Sequence, residues 1–377
     1  MPDSRSRPGD SLHPRASFRI GWSMPMGALG TPGKIAALAL YLAAGETIFT
    51  TKVAVAQNRQ TRAPMTPKPL MCGVELGGTK CECLVGTAPD DIRERITLKT
   101  ESDAAATLRR IEGIFRNWNA KHGTFSAIGL ACFGPLELRP ESPNFGKIGM
   151  TPKEGWRNVD VAGFFASRFA DAVGITTDVI GAALAEGRWG AGKGLTDYAY
   201  VTVGTGVGVG LIAAGKPVFG WHHPEVGHIR VVRAPGDDWP GHCRLHGACV
   251  EGLASGPAIK ARSGTSPANL PADSPVWDTV AHALAQLAHN LVLTLAPQRI
   301  LIGGGVVSEQ THLFPRIREY LRLSVNDYVD IERAAGGLEG YITPPGLGTL
   351  AGPLGALAVA ADACSGGSTS HVMRTRS

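Results

Sequence analysis

From residue 71 onward, apolar residues recur with the spacing of strands in some stretches and of helices in others. Residues 72–86 and 198–211 each predict a strand, a glycine turn and a second strand. Residues 127–133 form an apolar run that predicts a buried strand, and residues 299–302 predict a shorter one before a glycine-rich turn. Residues 174–186 predict the end of a strand that leads directly into a helix.

Two other stretches have the periodicity of amphipathic helices. Between Thr107 and Trp118, apolar side chains recur at i, i+3, i+6 and i+7, which places them on one helical face. Ser274 and Pro275 are typical of an N-cap and a first helical position, and an apolar stripe follows them. An alanine-rich segment at residues 354–361 predicts a last helix.

The composition is that of a globular protein with room for more than one core. The chain has 377 residues, of which 44% are hydrophobic and 18% are charged, and this length is sufficient for two lobes. Many of its 49 glycines fall in short clusters, as tight turns and phosphate-binding loops require. Its seven cysteines form no repeating framework, which favours a reducing compartment over a disulfide scaffold.

The net charge of +5 is concentrated at the N-terminus. Residues 1–68 carry nine basic and three acidic side chains, a net of +6, whereas the remaining residues carry 28 and 29, a net of −1. The body of the chain therefore gives no reason to expect nucleic-acid binding.

The first 68 residues are rich in Arg, Pro, Ser and Gly. Their apolar run at residues 35–44 is too short to span a bilayer as a helix. A secretory signal cleaved at residues 54–56 is one interpretation, but the gap before that site is long and contains Glu46 and Lys52. We favour a disordered or non-native extension, with Met65 or Met71 as the working start. Mature protein in a secreted fraction would contradict this.

One polar loop, residues 222–257, concentrates metal-ligating side chains. Cys243, His246 and Cys249 form a C-x-x-H-x-x-C run, and His228 lies upstream. Zn²⁺ takes four tetrahedral ligands from thiolate and imidazole, and two-residue gaps let one tight loop turn three ligands inward. The sequence therefore predicts a zinc site in this loop.

Two alternatives remain open for the same loop. It could be a polar segment with two free thiols and scattered histidines, or its upstream ligand could be replaced by one of the spare imidazoles of His222, His223 and His242. The loop also carries two carboxylates, Glu225 and Glu251, close in sequence to the metal ligands.

The motifs of this loop resemble those of a known family. HPE-x-GHI, followed by C-x-x-H-G-x-C-x-E-G-x-A-S-G-P, is similar to the sugar kinases of the ROK family (repressors, open reading frames, kinases), and most similar to its fructokinase branch. The resemblance runs from about residue 71 to about residue 361. It implies an α/β, two-lobed, ribonuclease H-like fold shared with actin and heat-shock ATPases, with an interlobe cleft and a zinc-held loop.

The resemblance also implies a division of the chain. Residues 69–186 would form the N-terminal lobe and residues 187–344 the C-terminal lobe. Residues 345–363 would form a C-terminal helix that packs back on the first lobe, and residues 364–377 a tail.

Three glycine-rich turns match the nucleotide-binding motifs of the family. In the first, ELGGTK, backbone N–H groups can approach phosphate oxygens, with one hydroxyl and one ammonium group beside them. Alone, such turns are equally typical of structural hairpins, and the acidic residue before the glycines could be an ordinary surface carboxylate. The resemblance assigns the nucleotide to Glu75, Gly77, Gly78, Thr79, Lys80, Gly204, Thr205, Gly206, Gly303 and Gly304.

Asp178 is the candidate catalytic base. Sugar phosphorylation needs a carboxylate to accept the hydroxyl proton and a site that holds both substrates in line. The resemblance places an Asp here, in T-D-V-N-x-A-A-L-x-E, while an N-cap at the strand–helix junction is the alternative role. Ile180 stands where the family usually has Asn, and because it cannot hydrogen-bond a sugar we expect weaker sugar binding.

The sugar ligands are also implied by the resemblance. An amide such as that of Asn158 both donates and accepts hydrogen bonds, which suits a sugar hydroxyl. The neighbouring Trp156 is expected to pack in the core rather than stack on the sugar. The full set of implied sugar contacts is Gly134, Pro135, Asn158, Glu225, His228 and Glu251.

The function implied by these residues is phosphorylation of a hexose by ATP, with fructose to fructose 6-phosphate favoured by the resemblance. Mg²⁺ would accompany the phosphates and Zn²⁺ would be structural. Glucose, mannose or an N-acetylated hexosamine are alternative substrates, and a degenerate sugar-binding or regulatory protein is a different class. We expect a cytoplasmic homodimer without membrane partners. We also expect no nucleic-acid partner, since residues 1–68 show no pair of amphipathic helices that could read DNA.

Overall fold

Two β-sheets form the framework of the computed structural model, which describes residues 68–169, 172–331, 333–366 and 371–374. The first sheet comprises β1 (Met71–Leu76), β2 (Lys80–Ala88), β3 (Asp91–Lys99), β4 (Ala127–Cys132), β5 (Ala172–Thr177) and β11 (His371–Arg374). Their order is β11-β5-β4-β1-β2-β3. Strands β1, β4 and β5 run parallel, and β2, β3 and β11 are antiparallel to their neighbours.

The second sheet has five strands. These are β6 (Tyr198–Val203), β7 (Val207–Ala213), β8 (Lys216–Pro217), β9 (Arg299–Gly303) and β10 (Ile342–Thr343), in the order β10-β9-β6-β7-β8. As in the first sheet, a central antiparallel hairpin (β6 and β7) adjoins a parallel strand, β9. The two strand–turn–strand motifs predicted from the sequence therefore occupy equivalent places in the two sheets.

Helices cover the first sheet. They are α1 (Ala104–His122), α2 (Val161–Ala166) and, from the end of the chain, α9 (Ala351–Ser365). Helix α3 (Asp178–Trp189) packs on α9 and on the second sheet. In α1 the predicted apolar stripe is buried, and the Asp103 side chain caps the helix by accepting the N–H of Ala105. Trp156 is fully buried and donates its indole N–H to Glu101 O, so it is a core residue.

The second sheet is covered by α4 (Val250–Ala254), α5 (Gly256–Ser263), α6 (Val276–Thr294), α7 (Leu313–Val325) and α8 (Leu338–Tyr341). The stripe of α6 packs with the sheet in one core that includes Val280, Leu284 and Leu291. The predicted start of α6 was one residue early: Pro275 occupies the N-cap position, and no side chain caps the helix.

Helix α9 lies directly on the centre of the first sheet. Its Leu354 and Leu357 share a core with Met71, Leu84 and other sheet residues. The approach is so close that a Cβ added at Gly129 of β4 would lie 1.8 Å from Ala356 O of the helix. The chain therefore returns to its N-terminal lobe after completing the C-terminal one.

The end of the chain differs from the predicted tail. Residues 371–374 form β11 and pair antiparallel with β5, because the outer edge of that strand is open to a further strand. The predicted extension lies outside the described residues, apart from Lys68. Within the part of the chain that the structure describes, no helix is both long and apolar enough to cross a membrane.

Candidate functional site

Three adjoining cavities lie between the two sheets and bring most of the sequence-predicted site residues together. The first, of about 580 Å³, is lined by Glu75, Lys80, Asp178, Gly204, Thr205 and Gly304 among others. The second, of about 500 Å³, adds Gly77, Gly78, Thr79, Gly134, Gly206, Glu225, His228 and Glu251. The third, of about 860 Å³, extends from these acidic residues past Pro135 to the Cys/His loop. Together they form one cleft.

Two residues that were predicted to bind sugar or nucleotide, and the predicted metal ligand Cys249, are not among those that line these cavities. Asn158 is exposed, has a left-handed backbone (φ 58°) and donates its N–H to Ile148 O. Gly303 is buried, and a Cβ there would lie 2.6 Å from Pro345 Cγ, so it serves the packing of β9.

Asp178 is the first residue of α3 and faces the cleft. The N-cap is Thr177, whose hydroxyl accepts the N–H of Ile180 at 3.3 Å, so Asp178 is not the cap. Its Oδ1 accepts the N–H of Val179 at 2.9 Å. Burial raises the pKa of Asp178 to about 6, which leaves a carboxylate that is ionised at neutral pH but basic enough to accept a proton.

Glu75, at the end of β1, is the second carboxylate at the base of the cleft. Burial, together with the nearby charges of Asp178 and Glu82, raises the pKa of Glu75 to about 7. A Cβ added at Gly352, in the first turn of α9, would lie 2.2 Å from Glu75 Oε1. The helix N-terminus thus lies against this carboxylate, where its partial positive charge favours an anion.

The first glycine turn is held by a network of ion pairs. Lys80 pairs with the buried carboxylate of Glu82, which also binds Arg95. Burial raises the pKa of Glu82, but the hydrogen bonds from Lys80 and Arg95 outweigh it and lower the pKa below its usual value. The Lys80 ammonium group therefore lines the cleft already paired with a carboxylate.

Glu251 contacts the second glycine turn and also lies near His228. Its Oε2 accepts the N–H of Val207 at 3.2 Å, and a Cβ added at Gly206 would lie 2.6 Å from the same oxygen. Its Oε1 lies 4.0 Å from His228 Nδ1. Burial and the charges of Asp178 and Glu251 raise the pKa of Glu225, the other carboxylate on this side.

The predicted metal ligands form one group. The donor atoms of His228, Cys243, His246 and Cys249 all lie within 4.8 Å of one another. His228 Nδ1 is 3.7 Å from each of the two Sγ atoms, and Cys243 Sγ is 3.8 Å from His246 Nδ1. Tetrahedral zinc with ordinary bond lengths requires S···N separations of about 3.6 Å, so the residues fit the ion.

Comparison with known proteins identifies the family. The model of the ROK family matches residues 71–363. The chain belongs to the ROK family. This confirms the resemblance found in the sequence.

Named ROK relatives include two fructokinases. That of Pediococcus pentosaceus is 37% identical over 291 residues, which cover 77% of this chain and 97% of that protein. That of Zymomonas mobilis is 43% identical over 240 residues, which cover 63% of this chain and 78% of that protein.

Solved structures confirm the predicted two-lobed α/β fold. The ROK hexokinase from Thermus thermophilus has a TM-score of 0.64 at 23% identity and covers 79% of this chain and 100% of its own. A ROK glucokinase from Streptomyces griseus, in complex with glucose and AMPPNP, has a TM-score of 0.60 at 24% identity, covering 78% and 99%.

Two polar residues that the sequence analysis did not assign to the cleft support it in this ROK protein. His223 was considered only as a spare metal ligand, but it is buried and accepts the N–H of Leu136. Glu186 is fully buried and accepts N–H groups from three residues, Ala191, Gly346 and Leu347. Apart from Ala191, their partners are backbone groups far along the chain, and such groups leave no sequence motif.

Ile180 lies in the core rather than in the cleft. It is 2% exposed and is not among the residues that line the three cavities. The absence of Asn at this position therefore removes no side chain from the cleft surface that the structure describes.

Proposed function

We propose that the protein transfers the γ-phosphoryl group of ATP to the 6-hydroxyl group of D-fructose. One observation carries this proposal: a carboxylate with a raised pKa lines the same cavity as two glycine turns and the carboxylates of Glu225 and Glu251. Fructokinase-named relatives that align over most of their length support fructose as the sugar.

Asp178 is the general base of this reaction. Its carboxylate accepts the proton of the sugar hydroxyl while the hydroxyl oxygen bonds to the γ-phosphorus and the bond to the ADP oxygen breaks. The pKa of Asp178, about 6, keeps it ionised at neutral pH and close enough to the working pH for efficient proton transfer.

The two glycine turns bind the phosphates through backbone N–H groups. Glu75 and Asp178 line the same cavity, and carboxylates together with substrate phosphates are the ligands that Mg²⁺ prefers. Bound Mg²⁺ would neutralise charge on the phosphate oxygens. Gly304 and Gly305, with Ser308 and Gly348, also line this cavity, and we place the adenosine beside them.

The zinc site is structural in this proposal. His228, Cys243, His246 and Cys249 would hold the ion, and four protein ligands leave no open position for catalysis. Cys249 is the N-cap of α4, and Glu251 lies in the first turn of that helix. The ligands therefore fix the position of a sugar-binding carboxylate. For the molecule as a whole, we propose a cytoplasmic homodimer.

A substrate panel tests the function. Purified full-length protein would be assayed for ADP release with Mg-ATP and fructose, glucose, mannose or N-acetylated hexosamines. We expect turnover with fructose to exceed the others, and Asp178→Asn to lower kcat by about 10²–10⁴ while retaining ATP binding. Folded, zinc-loaded protein with no turnover on any hexose would contradict the proposal, and preferred turnover on another sugar would reassign the substrate.

A further inference from the structure

His223 joins the two lobes beside the sugar-binding carboxylates. Its side chain is 5% exposed, and its Nε2 accepts the backbone N–H of Leu136 at 3.0 Å. Leu136 follows the Gly134–Pro135 segment of the N-terminal lobe, whereas His223 belongs to a loop of the C-terminal lobe. The hydrogen bond therefore crosses from one lobe to the other at the edge of the sugar pocket.

This hydrogen bond selects one tautomer of the imidazole. Because the Leu136 N–H donates to Nε2, that nitrogen carries no proton, and the proton of the neutral ring is on Nδ1. Burial lowers the pKa of His223, so the ring is neutral at neutral pH. The backbone of one lobe thus determines which ring nitrogen of the other lobe is a donor.

The protonated nitrogen faces Glu225. His223 Nδ1 and Glu225 Oε1 are 3.4 Å apart, a separation that shortens to a hydrogen bond with a small movement of either side chain. Gly134 provides the space for both groups. A Cβ added there would lie 3.1 Å from His223 Cε1 and 3.6 Å from Glu225 Oε1.

We propose that His223 is a positioning residue that donates its Nδ1–H to Glu225 and orients this carboxylate toward the sugar. The role rests on the proposed phosphorylation of fructose and adds a specificity element to it. A sugar hydroxyl that donates to Glu225 then meets a carboxylate with one oxygen already fixed.

Two substitutions separate the two halves of the imidazole. The amide nitrogen of His223→Asn takes the place of Nδ1 and keeps the donor to Glu225, but it loses the acceptor of the Leu136 N–H. The amide of His223→Gln reaches the place of Nε2 and leaves nothing at Nδ1. His289→Asn is the matched control, since it removes a half-buried histidine hydrogen-bonded to Ser324, outside the cleft.

We expect His223→Gln to raise KM for fructose about tenfold with little change in kcat or in KM for ATP. His223→Asn should stay within about threefold of the unsubstituted protein, as should the control. Equal increases in KM for the Asn and Gln variants, or equal increases for fructose and ATP, would overturn the proposal and leave His223 a packing residue.

A spectroscopic measurement decides the question if a variant fails to fold. Long-range ¹H–¹⁵N spectra of the labelled protein should show His223 as the Nδ1–H tautomer, and Glu225→Gln should shift its Nδ1 resonance. A proton on Nε2, or an unshifted resonance, would contradict the proposal. If the protein phosphorylates no hexose, the proposed function fails first, and these spectra still test the contact.

Discussion

Glu186 and Leu347 are joined by a hydrogen bond of 2.8 Å between Glu186 Oε1 and the Leu347 backbone N–H, although 161 residues separate them. The other carboxylate oxygen accepts the N–H of Gly346 at 2.9 Å and that of Ala191 at 2.7 Å. Glu186 lies on α3, the helix that begins with Asp178. One helix therefore presents the proposed base at its start and, near its end, holds the turn that precedes the cleft-lining Gly348.

Glu186→Gln tests this anchor. The amide NH₂ group cannot accept the N–H groups that one carboxylate oxygen accepts, so at least one buried donor loses its partner at a cost of about 1–3 kcal/mol. We expect a lower Tm and a several-fold higher KM for ATP, with KM for fructose little changed. Glu319→Gln, on the exposed face of α7, is the control. If KM for ATP is the same in Glu186→Gln as in Glu319→Gln, the turn does not depend on Glu186.

The pH dependence of kcat follows from the raised pKa values in the cleft. The pKa of Asp178 is raised to about 6 and that of Glu75 to about 7 by burial, so both carboxylates take up protons as the pH falls through this range. A protonated base cannot accept the hydroxyl proton. We therefore expect kcat to decrease as the pH falls, with the midpoint of the decrease between about pH 6 and 7. A pH profile of kcat that stays flat down to pH 5 would contradict this assignment.

Asp178→Asn should stabilise the protein at alkaline pH. Because burial raises the folded-state pKa above its unfolded value near 3.9, the neutral carboxyl contributes stability below that value, and the contribution is lost as the pH rises through about 6. The variant is expected to exceed the unsubstituted protein by up to about 3 kcal/mol at pH 8 and by about half of that at pH 5. Urea unfolding at both pH values measures the difference.

The exposed Asp273 provides the comparison for this measurement. Asp273→Asn should leave stability unchanged at pH 5 and pH 8, because its side chain is solvated in both states. If Asp178→Asn also leaves stability unchanged at both pH values, burial does not raise the pKa of Asp178.

Cys243→Ser should lose zinc and stability together. Removal of one thiolate leaves three of the four ligands, and the free energy of metal binding contributes directly to the folded state. We expect about one zinc per chain in the unsubstituted protein by elemental analysis, and a lower Tm with less zinc in the variant. Cys364→Ser, at an exposed thiol on α9, should change neither value. Full zinc content in Cys243→Ser would move the metal elsewhere.

Ile180→Asn tests whether the departure from the family motif affects the sugar. Since Ile180 is buried away from the cleft lining, an amide there loses packing and places a polar group in the core, at about 2–4 kcal/mol. We expect lower stability and an unchanged KM for fructose. Ile180→Val, which removes one methyl group, should cost about 0.5–1.5 kcal/mol. A lower KM in the Asn variant would show that residue 180 reaches the sugar.

The sequence predicted those parts of the protein whose determinants are local. The hairpins around Gly77 and Gly204, the position of Asp178 at a strand–helix junction and the spacing of Cys243 and Cys249 each lie within a short window, where periodicity and residue type carry the information. The fold itself could be expected because these windows match one family in order.

Contacts between distant segments were not predictable in this way. Glu186 and His223 accept backbone N–H groups that lie 161 and 87 residues away, and any residue except proline provides such a donor. Ile180 shows the converse limit: a motif position can be compared with a family pattern, but whether its side chain faces the cleft or the core depends on how the helix is docked.

The position of α9 also determines when the protein can finish folding during synthesis. Strands β1 and β4 emerge from the ribosome long before α9, yet Leu354 and Leu357 complete the core on that face of their sheet. The core on that face of the first sheet is therefore incomplete until the rest of the chain has been translated. Chains terminated before residue 351 leave that apolar face uncovered, which marks them for chaperones and proteases while full-length molecules escape.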